Sequence, residues 1–261
     1  VKNILLIGTL GLIVSLCAFT PLEKRPQYKL RVVVIDAGHG GKDPGTLGKH
    51  VQEKEVALKV ALEVGKTIKK NFPNVKVLYT RMTDKFVELQ ERAAIANRNR
   101  ADLFISIHCN SNNSKSIAGT ETYTMGLHTS EGNLEVAKRE NSAILLEENH
   151  EKKYGGYDPD SPMGHILFAN YQSAYLDNSL RFASHVENQF EKRANRHSRG
   201  VRQAGFIVLW KTAMPSSLIE IGFLSNPTEE KFLRSSEGQK TIAQSIYRGF
   251  KMYKEDMETA D

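Results

Sequence analysis

His39, Glu53, His108 and Glu220 have the side-chain types and the placement to do chemistry together. His39 stands in AGHGG, directly after the apolar run 32–36 (VVVID). His108 directly follows a second apolar run, 103–107 (LFISI). Runs of this kind read as strands buried on both faces. Parallel strands share one carboxyl edge, and open α/β sheets bind ligands at that edge. Two imidazoles can therefore converge there. One histidine at a strand end is more often structural, whereas a pair at equivalent ends points to a shared ligand. Glu53 opens the helix that follows the first loop, where the helix dipole also favours a carboxylate, so capping is its plainer reading. Glu55 lies two helical positions on and points to the opposite side, so only one of the two can face the sheet edge. Two histidines and a carboxylate with an open fourth position form the donor set of a catalytic zinc ion. Such an ion acidifies a water towards a pKa of about 7 and polarises a carbonyl. A further carboxylate must then take a proton and return it to the leaving group. Glu220 suits that duty. In SSLIEIGFLSN it interrupts an apolar strand, where an unpaired charge is costly. A buried salt bridge is the alternative explanation.

The elements that must position these residues are legible in outline. Ala57, Val60, Ala61, Val64 and Ile68 recur at helical spacing within 53–72. Phe86, Leu89, Ala93 and Ala96 mark a second helix, and 242–253 a last one. Residues 75–79 and 217–221 read as strands, and 119–125 alternates like a half-exposed strand. Strands alternating with helices predict a single α/β domain with a mixed, mostly parallel central sheet, covered by helices on both faces. Residues 129–199 depart from that alternation. Leu134, Ala137, Ile144 and Leu145 suggest one helix, and Leu176, Leu180, Ala183, Val186 and Phe190 another, with the turn-rich YGGYDPDSPMG between them. This span reads as a helical insertion beside the site. The expected organisation is a leader over 1–22, a linker over 23–29, a catalytic domain over 30–255 and a tail over 256–261.

A chain of 261 residues suits one α/β domain with a full core. The net charge of +6 favours polyanions. The basic residues are spread along the chain without an arginine-rich block, which argues against nucleic acid and leaves anionic lipid or an anionic cell wall. The apolar run 4–19 falls short of the roughly 20 residues a membrane span needs and has the size of a signal-peptide core. It predicts export to the periplasm or cell envelope, with a retained anchor as the alternative. Cys17 and Cys109 are the only cysteines, so loss of the leader leaves one thiol and no disulfide. Cys17 is either an ordinary leader cysteine or a lipid-bearing one, and Leu16 before it fits a lipobox poorly.

Five motifs, VVVIDAGHGGKDPG, EKEVAL, TRMTD, ADLFISIHCNS and MPSSLIEIGFLSNPTEE, resemble in order the zinc-dependent N-acetylmuramoyl-L-alanine amidases of bacterial cell envelopes (Amidase_3 type), including the cell-division amidases. The resemblance runs from about residue 31 to 253. It implies one zinc ion held by His39, Glu53 and His108, so it selects Glu53 over Glu55, and it implies Glu220 as the catalytic acid–base. It implies peptidoglycan as substrate, cut between N-acetylmuramic acid and L-alanine, in daughter-cell separation. Similar division amidases carry a helix that blocks the zinc site until a LytM-type activator binds, and KRENSAILLEENHEKKYGGYDPDSP resembles that segment. Glu140 is then the candidate carboxylate that reaches the site, with a solvated helix glutamate as the alternative; Glu147 and Glu148 are weaker candidates. The sequence departs from the family at Cys109, which reads as a packed free thiol, and at Glu55, where aspartate is usual. Arg81 and Asp84 read as a salt-bridged turn. His50, His128, His150, His165, His185 and His197 read as surface or loop residues. The expected state is a monomer. Two rivals stand beside this reading: a zinc peptidase acting within the stem peptide, and a catalytically silent protein that binds the wall or an activator.

Overall fold

Strands with apolar side chains on both faces require cover on both faces. In the computed structural model, which describes residues 28–128, 130–161, 164 and 174–259, such strands form the sheet centre. They are β1 (Val32–Ala37), β3 (Leu103–Asn110) and β6 (Ser216–Phe223). With β2 (Lys76–Tyr79), β4 (Thr120–Met125) and β5 (Ser198–Ala204) they make one six-stranded sheet in the order β2-β1-β3-β6-β4-β5. The first four strands of that order run parallel, β4 runs antiparallel to β6, and β5 runs parallel to β4. The sheet is thus mixed and mostly parallel. The leader, Cys17 and His165 lie outside the described residues. Among the described residues no helix is long and apolar enough to cross a membrane.

Alternate residues of the central strands feed two cores. Val33, Ile35, Leu103, Ile105, Ile219 and Ile221 face one side. There they meet α1 (Glu53–Asn71), α5 (Leu176–Ala194) and α8 (Ser236–Thr259). Val56, Val60 and Val64 of α1, Phe182, Val186 and Phe190 of α5, and Ile246 and Phe250 of α8 fill that layer. Val34, Phe104, Tyr123 and Leu218 face the other side. Their cover is α2 (Leu89–Arg98), α3 (Glu131–Asn141), a 3-10 turn (Ser142–Leu146) and the short α6 (Ile207–Trp210). Two further short helices, α4 (His150–Lys153) and α7 (Pro227–Leu233), complete the described elements.

Within the span 129–199, α3 lies on the site side, whereas α5 packs in the main core through fully buried Phe182, Val186 and Phe190. The alternation of 119–125 predicts half exposure, yet every residue of β4 is buried. Two of its polar residues find partners inside the fold, since the Thr120 and Thr122 hydroxyls donate to the Glu187 carboxylate of α5 at 2.9 and 2.6 Å. Residues 256–259 continue the last helix, and Glu258 accepts a hydrogen bond from the Leu30 backbone at 2.9 Å. Strand β5 has no apolar pattern (SRGVRQA) and escaped prediction altogether.

A buried ion pair braces the loop that follows β1. Asp36 is fully buried and accepts from Arg92 at 2.9 Å, Thr80 at 2.6 Å and Ser106 at 2.7 Å. Arg92 also donates to the carbonyls of Ala37 and His39. Arg81 donates to the carbonyls of Ala37, Gly38 and Lys54. It makes no ion pair with Asp84, whose carboxylate instead takes Lys54 at 2.8 Å. Burial works against charge on Asp36, but Arg92 and the two hydroxyls outweigh it and hold its pKa below the usual value. Removing one charge of a buried pair costs about 3–5 kcal/mol, so Asp36→Asn should lower the unfolding free energy by that order in urea at neutral pH. With a folded-state pKa below the unfolded one, the Asp36 contribution is complete above about pH 4 and fades as pH falls through the folded value. The gap between wild type and Asp36→Asn should therefore narrow below about pH 4. A gap that stays constant into that range would show that the ion pair does not stabilise the fold.

Candidate active site

The loop after β1 presents His39 in a backbone conformation that side chains rarely take, with φ at +58°. That costs a non-glycine residue roughly 1 kcal/mol or more, and the surroundings impose it. Gly40 and Asp43 exchange two backbone hydrogen bonds, and Arg92 holds the His39 carbonyl at 2.9 Å. The Asp43 carboxylate lies 2.8 Å from His39 Nδ1. It accepts a hydrogen bond from Nδ1–H and leaves Nε2 facing inward.

Glu53, in the first turn of α1, is fully buried. Its Oε1 accepts from the Cys109 backbone at 2.8 Å and its Oε2 from Thr46 at 2.7 Å. Glu55 is exposed, as the two-position offset requires. His108, near the end of β3, turns Nδ1 to the same point, and its Nε2 lies 3.1 Å from the Ser106 hydroxyl. That hydroxyl donates onward to Asp36. Cys109 points to the opposite face and is packed in the core, as expected of a free thiol.

A fourth donor comes from the last turn of α3. Glu140 Oε2 lies 3.0 Å from His39 Nε2 and 2.9 Å from His108 Nδ1. Glu53 Oε1 lies 3.1 and 3.0 Å from the same two nitrogens, which are themselves 3.2 Å apart. A tetrahedral zinc site with bonds near 2.0–2.1 Å has edges of roughly 3.3 Å, close to this spacing. Glu140 Oε2 is buried without a hydrogen bond, as an atom meant for a cation would be. The space around the set is kept by glycine. A Cβ on Gly38 would come within 2.4 Å of the His108 ring, and one on Gly45 within 2.6 Å of both Glu53 and the His39 ring. The residues present therefore fit a small divalent cation.

The electrostatics agree. Burial opposes charge on both imidazoles, yet the carboxylates around them prevail. Glu53 and Asp43 hold His39 well above its ordinary value, and Glu140 raises His108 to about 9. Burial likewise opposes charge on Glu53, but His39 brings its pKa down to about 2. The cluster demands positive charge, as protons or as a metal.

Glu220 sits beside this group. It is the register partner of His108 on the neighbouring strand and is fully buried. Its Oε2 has no hydrogen-bond partner, and its Oε1 lies 3.5 Å from the Arg139 guanidinium. Burial, and then the charge of Glu140, push its pKa well above the usual carboxylate value. Arg139 also contacts Glu140 at 3.0 Å and Asn110 at 3.0 Å. Next to it opens a cleft of about 440 Å³, with α3 as one wall and Asn110, Glu121, Arg199 and Arg202 opposite.

The other candidate residues do not join the group. Glu147 accepts from the Leu89 backbone at 2.8 Å and so caps α2, and Glu148 is exposed. His185 pairs with Asp256 at 2.6 Å on the surface. Sequence reasoning missed Asp43, Ser106 and Asp36 as supports of the two imidazoles. Only Asp43, four residues after His39, had a local signal. Removing such a support typically costs 10–100-fold, that is about one to two decades, in metal affinity. Ser106→Ala should therefore bind zinc about 10-fold or more weakly in a chelator-dye competition. Unaltered affinity would exclude Ser106 as the orienting partner of His108.

Comparison with known proteins agrees with this geometry. The family described as N-acetylmuramoyl-L-alanine amidase matches residues 33–252. The chain is 36% identical over 233 residues to N-acetylmuramoyl-L-alanine amidase AmiC of Escherichia coli O6:H1, covering 87% of this chain and 54% of that protein. It thus spans about half of that relative's length. It is 33% identical over 226 residues to N-acetylmuramoyl-L-alanine amidase AmiA of Escherichia coli K12, covering 85% of this chain and 76% of that one. The crystal structure of N-acetylmuramoyl-L-alanine amidase from Clostridium difficile 630 superposes with a TM-score of 0.65 at 26% identity, covering 87% of this chain and 97% of that one. With a family match over nearly all the described residues and a buried His–Glu cluster at the carboxyl edge of the sheet, this chain belongs to the N-acetylmuramoyl-L-alanine amidase family.

Proposed function

We propose that this chain hydrolyses the amide between N-acetylmuramic acid and L-alanine in peptidoglycan, using one zinc ion held by His39, Glu53 and His108. The observation that supports the reading most is the buried group of converging donors beside Glu220, whose Oε2 has no hydrogen-bond partner. Zinc bound there would supply Lewis-acid polarisation of the carbonyl and an acidified water. Glu220 takes the water's proton at Oε2 and delivers it to the departing alanine nitrogen. Its raised pKa suits a carboxyl that must hold a proton between those two events. His39 and His108 are kept as neutral donors in one orientation by Asp43 and by Ser106 with Asp36. We place the enzyme in the cell envelope, exported by the apolar run 4–19.

Glu140 completes the donor set and leaves it no open position, so α3 as placed holds the enzyme inactive. A partner of the LytM activator type would draw α3 away, and the exposed Leu145 and Leu146 just after it offer apolar surface for that contact.

Peptidoglycan digestion followed by mass spectrometry tests the reaction. The expected products are intact stem peptides with a free L-alanine amino terminus, lost on chelation and restored by zinc. Peptides cut within the stem would instead establish a peptidase. In the same assay Glu220→Ala should retain zinc and lose at least about 100-fold in turnover; near-normal turnover would remove Glu220 from the mechanism. Glu140→Ala should raise activity without any partner by about 5- to 150-fold, the span of a typical coupling free energy. Unchanged or lower activity in that folded variant would rule out inhibition by α3.

A further inference from the structure

The cleft beside Glu220 holds a guanidinium with free hydrogen-bonding capacity. Arg199 Nε donates to Glu121 at 2.7 Å, and its guanidinium lies over the Phe223 ring at 5.6 Å. Among the described residues its two terminal nitrogens make no hydrogen bond, although they face a cleft lined largely by polar groups. Glu121 is buried and fixed by Asn110 at 3.0 Å and by the Tyr123 hydroxyl at 2.7 Å. The planar fork of Arg199 is therefore held from behind, with its outer edge open.

The backbone is arranged to aim it. Between the pairs Thr120↔Ser198 and Thr122↔Val201 the register shifts by one residue, so Arg199 and Gly200 together oppose Glu121. Bulges of this kind re-aim side chains and are common beside active sites. Gly200 takes a φ of +89°, which suits glycine at the bulge. Glu121 is in turn the register partner of Glu220. Adjacent strands lie about 4.8 Å apart, so Arg199 stands within roughly 10 Å of Glu220. Arg202 adds a second cation, 3.5 Å from Glu121 and bound to Asn133 of α3 at 2.8 Å. Two guanidinium groups share one carboxylate on this wall, so it is positive, while the cleft's other two carboxylates, Glu131 and Glu135, belong to α3 on the facing wall.

We propose that Arg199, backed by Arg202, forms a subsite for a free carboxylate on the peptide side of the scissile amide. The proposal rests on the amidase reading for its substrate. An Arg fork recognises a carboxylate through two parallel hydrogen bonds, which a carboxamide cannot reproduce. Arg199 thus selects acidic stem peptides over amidated ones.

The test uses two soluble substrates, N-acetylmuramoyl-L-alanyl-D-isoglutamate and its isoglutamine counterpart, cleaved by the zinc-loaded full chain in a Glu140→Ala background, which opens the fourth donor position, with Arg199 either wild type or substituted. Wild type should favour the carboxylate form in kcat/KM by about 10-fold or more. Arg199→Gln should bring that ratio close to one. Arg199→Lys, which keeps a cation for Glu121 but loses the fork, should give an intermediate ratio in a folded protein. A wild-type ratio of one, or an unchanged ratio in Arg199→Gln, would overturn the subsite. Cleavage of neither substrate, with Glu140 intact and with Glu140→Ala alike, would count against the amidase reading instead. The subsite would then be judged by calorimetry with the free dipeptides L-alanyl-D-isoglutamate and L-alanyl-D-isoglutamine. Tighter binding of the acid by wild type alone supports it, and equal binding refutes it.

Discussion

Four donors, two of them carboxylates, are gathered within 4.8 Å of one another in a buried space, and much of the architecture follows from that constraint. Like charges so close in a poorly solvated site cannot stand without a cation among them. The imidazoles are accordingly drawn towards the protonated state, with His108 raised to about 9. A divalent ion meets the same demand with a single charge centre and frees the imidazoles to act as neutral ligands. The fold therefore has to hold each donor still in a field that would otherwise scatter them.

It does so through buried arginines on the metal side of β1. Arg81 and Arg92 are both about 1% exposed, yet most of their hydrogen bonds go to backbone carbonyls of the His39 loop and the start of α1. A loop that must carry a histidine at positive φ has few regular partners for its own carbonyls. Two planar forks supply them. Asp36 keeps Arg92 in place and at the same time anchors Ser106, so the brace of the loop and the orientation of His108 share one carboxylate.

The parts of this arrangement that were legible in the sequence are those set by local rules. Apolar runs that end in a histidine identified β1, β3 and their shared edge, and the 3–4 spacing of valines and alanines identified α1. Glu220 stood out as a charge within an apolar strand. What escaped notice depends on partners distant in sequence. Thr120 and Thr122 of β4 look solvent-facing because only Glu187, more than sixty residues on, reveals where their hydroxyls go. Strand β5 carries two arginines whose counter-charge, Glu121, lies on another strand. Arg81 next to Asp84 looked like a local ion pair, but backbone carbonyls of a different loop claim the arginine. Glu140 could be singled out as a candidate, while its convergence with His39 and His108 required the path of α3 across the site.

The reversal of β4 explains why the edge carries both acidic donors and guanidinium groups. Parallel β1, β3 and β6 deliver His39, His108 and Glu220 from their carboxyl ends, whereas β4 and β5 arrive at the same edge with their amino ends, bringing Glu121 and Arg199. Acidic donors thus gather on one half of the edge and guanidinium groups on the other. The segment of α3 that closes over the junction carries Arg139 and Glu140 side by side, one cation and one anion. The pair is not electrostatically silent, because each member acts on a different group: Glu140 raises the pKa of His108 and of Glu220, while Arg139 opposes the rise at Glu220. The position of α3 and the protonation of His108 and Glu220 are therefore linked, since any displacement of the helix takes a carboxylate from two imidazoles and a guanidinium from Glu220 together.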